Sequence, residues 1–313
     1  MIELSEEQVT PGTDASIEMD SFASPPGPTA ERPRLVIASY NIRYAVGSYL
    51  ITGSILRRAG LSMPARRKGL VARHLRRAAR ALSDGKRLPA PDIVALQEAD
   101  KGTARAGGHH VARELARALR MSYAHAPACL PRDEEPRAKQ WYLDFEEHIA
   151  RHDTGDTGVA LLSRFPVSRA ARVELPWTNC AWRPRLALET VVAVGTTAVY
   201  IYNTHIDPHA SIDEQLAQHE AVLRSADEKR GPTILLGDFN TLTRVSCARM
   251  RAAVEAHGYR TPMPTRLATW RAGLIRLHTD WIFVRGAQVR RWGVARRLGV
   301  SDHWPVWVEL ALG

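Results

Sequence analysis

Several short apolar segments of this 313-residue chain stop at, or start from, a small carboxylate, amide or imidazole side chain. LVIASY (35–40) runs into Asn41, and DIVALQ (92–97) into Glu98. AVYIYNT (198–204) runs into His205 with Asp207 close behind, and TILLG (233–237) into Asp238 and Asn240. Asp280 introduces WIFV (281–284), and Ser301-Asp302-His303 introduces WPVWVEL (304–310). Polar groups at strand ends of α/β folds line the crevice where ligands bind. Glu, Asp and Asn oxygens suit a hard cation such as Mg²⁺ or Mn²⁺. Histidines beside them can donate to a phosphoryl oxygen or carry a proton. Together these are the parts that phosphate-ester cleavage needs: a cation, a group that orients water, and donors for the developing oxyanion.

A plainer reading stands beside this one. A single Asp or Asn at a strand end is ordinarily a turn or cap residue, and Ser-Asp-His can be a turn with a structural histidine. The coincidence of QE and GDFN at the ends of apolar segments with SDH ahead of another favours the chemical reading for Glu98, Asp238 and His303. Asp207 is expected to be structural.

YNIR (40–43), LQEAD (96–100), TGVALLSRFPV (157–167), YNTHID (202–207), GDFNT (237–241), TDWIFV (279–284) and VSDHWPV (300–306) resemble, in order, the motifs of the endonuclease/exonuclease/phosphatase superfamily. That group includes pancreatic-type deoxyribonucleases, abasic-site endonucleases, neutral sphingomyelinases and inositol-polyphosphate phosphatases. The resemblance spans roughly residues 35–310. It implies a four-layer α/β (α+β) sandwich: two packed, mostly antiparallel mixed sheets flanked by helices. It implies Mg²⁺ or Mn²⁺, with Glu98 as the main ligand, Asn41 contacting metal or phosphate, and Asp302 as a further carboxylate. Asp238 would orient or deprotonate the attacking water, and Asn240 would hold the phosphate and that Asp. His303 would contact the phosphate with Asp280 fixing its ring, and His205 would be the second imidazole. Arg185, in RPRLALE, is a weaker match to a substrate-binding arginine.

The elements that must position these groups are legible in the pattern. VALLS (159–163) and LALETVVAV (186–194) join the segments above as expected strands, being β-branched or aromatic runs bounded by Gly, Pro, Asn or Asp. Val71, Leu75, Ala78 and Leu82 form a helical stripe over 65–83, and Val111, Leu115 and Leu119 another over 109–120. Ser211 and Glu214 form a capping box ahead of a helix running to about Lys229, stopped by Gly231-Pro232. Strands and helices alternate without a linker, so residues 34–313 are expected to be one domain. Residues 1–33, acidic and ending in SPPGPTAERP, are expected to be a disordered tail.

Charge and insertions bear on the partner. The formal charge is +10; the seven acids of residues 1–31, with no Lys or Arg among them, leave the rest of the chain at +17. A surplus of that size favours polyanions: nucleic acid, phosphorylated small molecules or anionic lipid heads. Two stretches exceed a minimal fold, near 44–90 and 128–155. The first carries the basic helix 65–83, with Arg73, Arg76, Arg77 and Arg80 mostly off its apolar stripe. It offers a face for a nucleic-acid backbone or for peripheral contact with an anionic membrane, and reads equally as a solvated face. In the second, Trp141, Tyr142 and Phe145 suit base stacking or, more plainly, a helix face sealing a core edge. Trp177 and Trp182, near Arg183 and Arg185, present the same choice.

The leading expectation is an enzyme that hydrolyses a phosphoester, with a nuclease or other phosphodiesterase first. A phosphatase or phosphodiesterase acting on a lipid head group or sugar phosphate comes second, and a catalytically silent binding module is remote. No protein partner is implied. Cys129, Cys180 and Cys247 form no CxxC pair, no signal-peptide pattern opens the chain, and Tyr44–Leu56 is too short to span a bilayer, so a cytoplasmic protein is expected.

Overall fold

The computed structural model describes residues 16–23, 34–47, 64–131, 149–179, 181 and 183–312. In chain order it begins with β1 (Glu18–Ser21), β2 (Arg34–Asn41), α1 (Pro64–Ser83), β3 (Ile93–Gln97), α2 (Val111–Leu119), β4 (Ser122–Pro127), β5 (Gly158–Ser163) and β6 (Val167–Glu174). It continues with β7 (Leu186–Val194), β8 (Thr197–His205), α3 (Ile212–Asp227), β9 (Thr233–Asp238) and α4 (Arg244–Ala256). It closes with β10 (Trp270–Ala272), β11 (Ile275–Leu277), β12 (Asp280–Arg285), β13 (Gln288–Val294) and β14 (Val306–Ala311).

The strands make a seven-stranded sheet, β1-β4-β5-β3-β2-β14-β13, a five-stranded sheet, β12-β9-β8-β7-β6, and the hairpin β10–β11. Strand alternation sends opposite faces into different cores. On β2, Leu35 and Ile37 join the core between the sheets, while Ala38 and Tyr40 join an outer core with α1 and α2. On β12, Ile282 and Val284 face inward, while Trp281 and Phe283 pack under α3 and α4. The result is the expected four-layer sandwich, helices outside two mixed sheets. Val71, Leu75, Ala78 and Leu82, the anticipated stripe of α1, are all buried in that outer core. The capping box of Ser211 and Glu214 is formed at the start of α3.

Each large sheet contains one parallel pair, β2–β3 and β8–β9; the rest of their pairing is antiparallel. A parallel pair needs a long crossover, supplied by the segment holding α1 and by α3. Its two C-terminal strand ends then lie side by side. Asn41 is in register with Gln97, the residue before Glu98, and His205 is in register with Asp238. The antiparallel neighbours start at that same end, Asp280 opposite Asp238 and Val306 opposite Ser39. Six separate segments therefore reach one edge of the sandwich. Gln97 and Asn203 hold the two sheets together beneath it: Gln97 Nε2 donates to Asn203 Oδ1 at 2.6 Å. The Asn203 amide donates to Leu96 and Ala160 carbonyls, both at 2.9 Å.

Several elements carry no clear sequence signal. β6 and β13 are edge strands, rich in Arg and largely unburied, so they lack an apolar run. α4 opens with Thr243 and Ser246 capping each other. The tail expectation fails for Glu18–Ser21, which pair with β4 as an edge strand. Glu18 accepts hydrogen bonds from Lys101 and Tyr123, with His110 Nε2 at 3.1 Å, and Phe22 stacks on Tyr123. Residues 1–15 and 24–33, and Trp141, Tyr142, Phe145 and Trp182, lie outside the described residues. Trp177 is 49% exposed, and Arg183 is buried. No helix among the described residues is long and apolar enough to cross a membrane.

Candidate active site

The site starts from three left-handed backbone positions. Glu98, directly after β3, has φ 51°, a conformation uncommon for a side-chain-bearing residue. It turns Glu98 out of the strand, and its carbonyl accepts from Tyr44 N at 3.0 Å and Asp100 N at 3.1 Å, which stabilises the turn. Arg43 (φ 46°) donates its backbone N–H to Asn41 Oδ1 at 3.0 Å, locking the Asn41 side chain. Asn240 (φ 49°) donates its backbone N–H to Asp238 Oδ1 at 3.0 Å and its amide to Ile206 O at 2.7 Å. Gly237 permits this arrangement, because a Cβ there would sit 2.0 Å from the Thr204 carbonyl oxygen at φ 141°.

These turns aim their side chains into one cavity of about 280 Å³, lined by Arg43, Glu98, His205, Asp238, Asn240, Asp302 and His303, with Pro208, His209, Leu242, Trp270, Leu277 and Thr279. The Asn41 amide, at its base, donates to Asp238 Oδ2 at 2.8 Å and to Glu98 Oε1 at 3.2 Å, bridging the two sheets. His205 Nε2 lies 3.6 Å from Asp238 Oδ2 and 4.0 Å from Glu98 Oε1. On the opposite side, His303 Nε2 lies 3.7 Å from the same Asp238 oxygen. Its Nδ1 is held by Asp280, 3.0 and 3.1 Å from the two carboxylate oxygens. Asp280 also accepts from Thr279 Oγ1 at 2.7 Å.

Burial and charge set the proton inventory. Burial pushes the Asp238 carboxyl up to about 7, the Asp280 charge adding to that and the His303 charge and Asn41 hydrogen bond opposing it. Burial alone would strip His303 of its proton, but Asp280 and Asp238 together raise it to about 10. At neutral pH the imidazole is therefore a cation between two carboxyl groups. Asp238 is poised to take a proton, as a general base near neutrality requires.

The donor set fits a hard cation: Glu98, Asp238 and Asp302 are buried carboxylates around one cavity, and no thiolate is among its lining residues. Asp238, Asp280 and His303 approach closely enough to share an ion. Asp280, however, is committed to His303 and Thr279 and does not line the cavity. The carboxylates that line the cavity are those of Glu98, Asp302 and Asp238.

Thus Asn41, Glu98, His205, Asp238, Asn240, Asp280, Asp302 and His303 converge. Arg185 does not join the lining: it is buried with Nη2 3.9 Å from Asp207. Asp207 accepts from Thr178 Oγ1 at 2.5 Å and His209 N at 3.0 Å, a turn role. Arg43 is a residue to which the motif reading assigned no task. Its guanidinium is 3.5 Å from Asp302 and donates to Gly47 O at 3.1 Å, so it supplies the arginine of the cavity. Its place in YNIR, two residues past Asn41, was the available signal.

Residues 38–303 match the model of the Endonuclease/Exonuclease/phosphatase family. No curated protein matches the sequence. Among solved structures, an endonuclease/exonuclease/phosphatase from Beutenbergia cavernae is similar with TM-score 0.58 and 19% identity, over 90% of this chain and 72% of that one. D. rerio TDP2 complexed with single-strand DNA product gives TM-score 0.56 and 16% identity, over 89% and 99%. The Bacteroides thetaiotaomicron mannosyl-6-phosphatase gives 0.54 and 18%, over 88% and 99%.

Proposed function

The chain belongs to the endonuclease/exonuclease/phosphatase family, and from that premise we propose that it hydrolyses a phosphodiester with a divalent cation, through in-line attack of a water oriented by Asp238. The observation that carries this reading is the Asn41 amide joining Glu98 to Asp238, with His205 and His303 on either side of the latter. It couples the candidate cation ligand to the candidate base in one cavity.

Glu98, Asn41 and Asp302 would hold Mg²⁺ or Mn²⁺, which when bound neutralises charge on phosphoryl oxygens. Asp238 accepts the proton of the attacking water, its Oδ2 kept in place by the Asn41 amide and its Oδ1 by the Asn240 backbone. His303, protonated and anchored by Asp280, donates to a phosphoryl oxygen as negative charge grows there. His205 offers a second donor across the cavity. Asn240 fixes Asp238 and reaches the cavity wall. No Ser or Cys lines the cavity among the described residues, so water is the nucleophile.

The cavity favours a diester over a sugar monoester. Among the described residues its lining has one arginine, already beside Asp302, to meet a dianion, and Pro208, Leu242, Trp270 and Leu277 offer a polyol few partners. A nucleic-acid diester has one observation in its favour. The apolar face of α1 is used up in the core while Arg73, Arg76, Arg77 and Arg80 are exposed to meet phosphates.

The test is a panel of soluble aryl diesters and monoesters, plasmid DNA and sugar phosphates, with Mg²⁺ and Mn²⁺. Diester turnover that stops with chelator, and falls on the order of 10³-fold in Asp238→Ala, is expected. Turnover that survives both would overturn the mechanism, and turnover confined to monoesters would make the protein a phosphatase.

A further inference from the structure

We propose that the β10–β11 hairpin docks this enzyme on an anionic lipid bilayer and presents the cavity to a phosphodiester carried by a membrane lipid. The inference rests on the phosphodiesterase reading and names the surface that delivers the substrate.

The hairpin is amphipathic by register. Trp270 pairs with Leu277 and Ala272 with Ile275, so these side chains share one face, and Arg271 pairs with Arg276 on the other. Gly273, at φ 58°, and Leu274 make the turn. The base of the apolar face, Trp270 and Leu277, is cavity wall. Its outer part is open to solvent: Ile275 is 55% exposed, and Leu274 at the tip is 96% exposed. At ~3.3 Å per residue the tip stands roughly 10 Å beyond the wall, close to the depth that interfacial elements reach into a bilayer.

Across the mouth, Leu242 is 44% exposed and Val245 60% exposed. Large apolar residues exposed elsewhere, among the described ones, are Trp177 and Trp292. Exposed apolar area gathered at one mouth marks an interaction site. The charge around it identifies the occupant. Arg276 is exposed on the hairpin itself, opposite Arg271, and Arg244 is exposed between Leu242 and Val245 in the chain; Glu255 and Asp213, on and beside α4, are bound by Arg251 at 2.9 Å and Arg249 at 2.8 Å. Apolar tips flanked by arginines on the same elements fit anionic headgroups over acyl chains. Leu and Ile present neither a stacking face nor a donor to a nucleic acid, which is bound through both.

The hairpin is also tied to the chemistry. Arg271 N donates to Asp302 O at 3.0 Å, Trp270 bridges His303, and Trp304 N donates to Thr269 O at 2.7 Å. A surface that seats the hairpin therefore seats the Asp302-His303 segment with it.

The experiment measures flotation of the full chain with phosphatidylcholine vesicles, with and without phosphatidylserine, alongside turnover of a soluble aryl diester. Wild type is expected to float with the anionic vesicles. Leu274→Asp/Ile275→Asp should weaken this at least about tenfold. Arg276→Ala should weaken it roughly fivefold. In all of these variants soluble diester turnover should be unchanged. Leu274→Trp should bind and shift its fluorescence to shorter wavelength on the same vesicles. Absence of wild-type flotation, or equal flotation of the double aspartate variant, overturns the docking proposal. So does binding of a single-stranded oligonucleotide without vesicle binding, lost on reversing the α1 arginines, which would assign the partner as nucleic acid. Loss of soluble diester turnover in wild type would instead strike the catalytic reading, and flotation remains readable without it.

Discussion

The His303 imidazole is gripped by Asp280, Nδ1 lying 3.0 and 3.1 Å from its two carboxylate oxygens, and this leaves Nε2 to face Asp238. One carboxylate orients the ring and raises its proton affinity, and the other lines the cavity. Because Asp280 is fully buried and also bound by Thr279, its own position has little freedom. The pair makes His303 a fixed cation at neutral pH.

That relationship predicts a pH effect. Against the cost of burial, Asp280 is the largest contributor raising His303 to about 10, so Asp280→Asn must lower it toward its ordinary 6.5. The alkaline limb of kcat/KM, expected near pH 10 in wild type, should move to lower pH in Asp280→Asn. The acid limb, set by Asp238, should stay on the acid side of it. An alkaline limb that does not move would remove His303 as the charged donor.

Glu98 predicts a cation effect separable from chemistry. Glu98→Gln keeps the shape and the Asn41 hydrogen-bond geometry but removes a charge. The Mg²⁺ concentration for half-maximal turnover should rise about 10- to 100-fold, with rate largely recovered at saturation. Direct calorimetric titration of the ion should show the same shift; unchanged ion affinity would assign the ligand role elsewhere.

The link between the sheets predicts a stability effect. Asn203→Leu would take its side-chain donor from the buried Leu96 and Ala160 carbonyls and leave the Gln97 amide with Ser39 Oγ as its side-chain partner. The cost should be about 3 kcal/mol, since each unsatisfied buried group costs roughly 1–3 kcal/mol. Urea unfolding measures it, and a loss below half that value would mean the bridge is replaceable.

The edge strand β1 predicts an acid-sensitive contribution. Burial alone would raise Glu18, but hydrogen bonds from Lys101 and Tyr123 and the His110 and Lys101 charges hold it down to about 2. A depressed carboxylate adds stability above its ordinary 4.5, and that stability is lost as pH falls through about 2. Glu18→Gln should therefore melt below wild type at pH 7, the gap closing as pH falls from 4.5. A gap that stays constant with pH would show that the carboxylate charge is not what holds the strand.

Much of this was written in the local sequence. Strands buried on both faces show as continuous apolar runs, and α1 and α3 show as a 3.6-residue stripe and a capping box, because these are short-range consequences of burial and hydrogen bonding. The residues that converge on the cavity were legible for the same reason: a strand end is where a polar side chain meets it. Edge strands β6 and β13, and Glu18–Ser21, were hidden because one paired side and a partly wet face require no apolar run.

What only the tertiary structure decided is who faces whom. The motif reading put Arg185 forward as the substrate-binding arginine and gave Arg43 no task. The left-handed turn after β2 sends Arg43 to Asp302, while Arg185 is buried toward Asp207. Charge alone ranked nucleic acid first; the apolar rim of Leu242, Leu274 and Ile275 exists only once a cross-strand register assembles it beside the cavity. Local sequence determines element type and the chemistry at each strand end. Convergence of groups as far apart in the chain as Asn41 and His303 depends on the two parallel pairs and the packing of their sheets, a nonlocal property that no short window encodes.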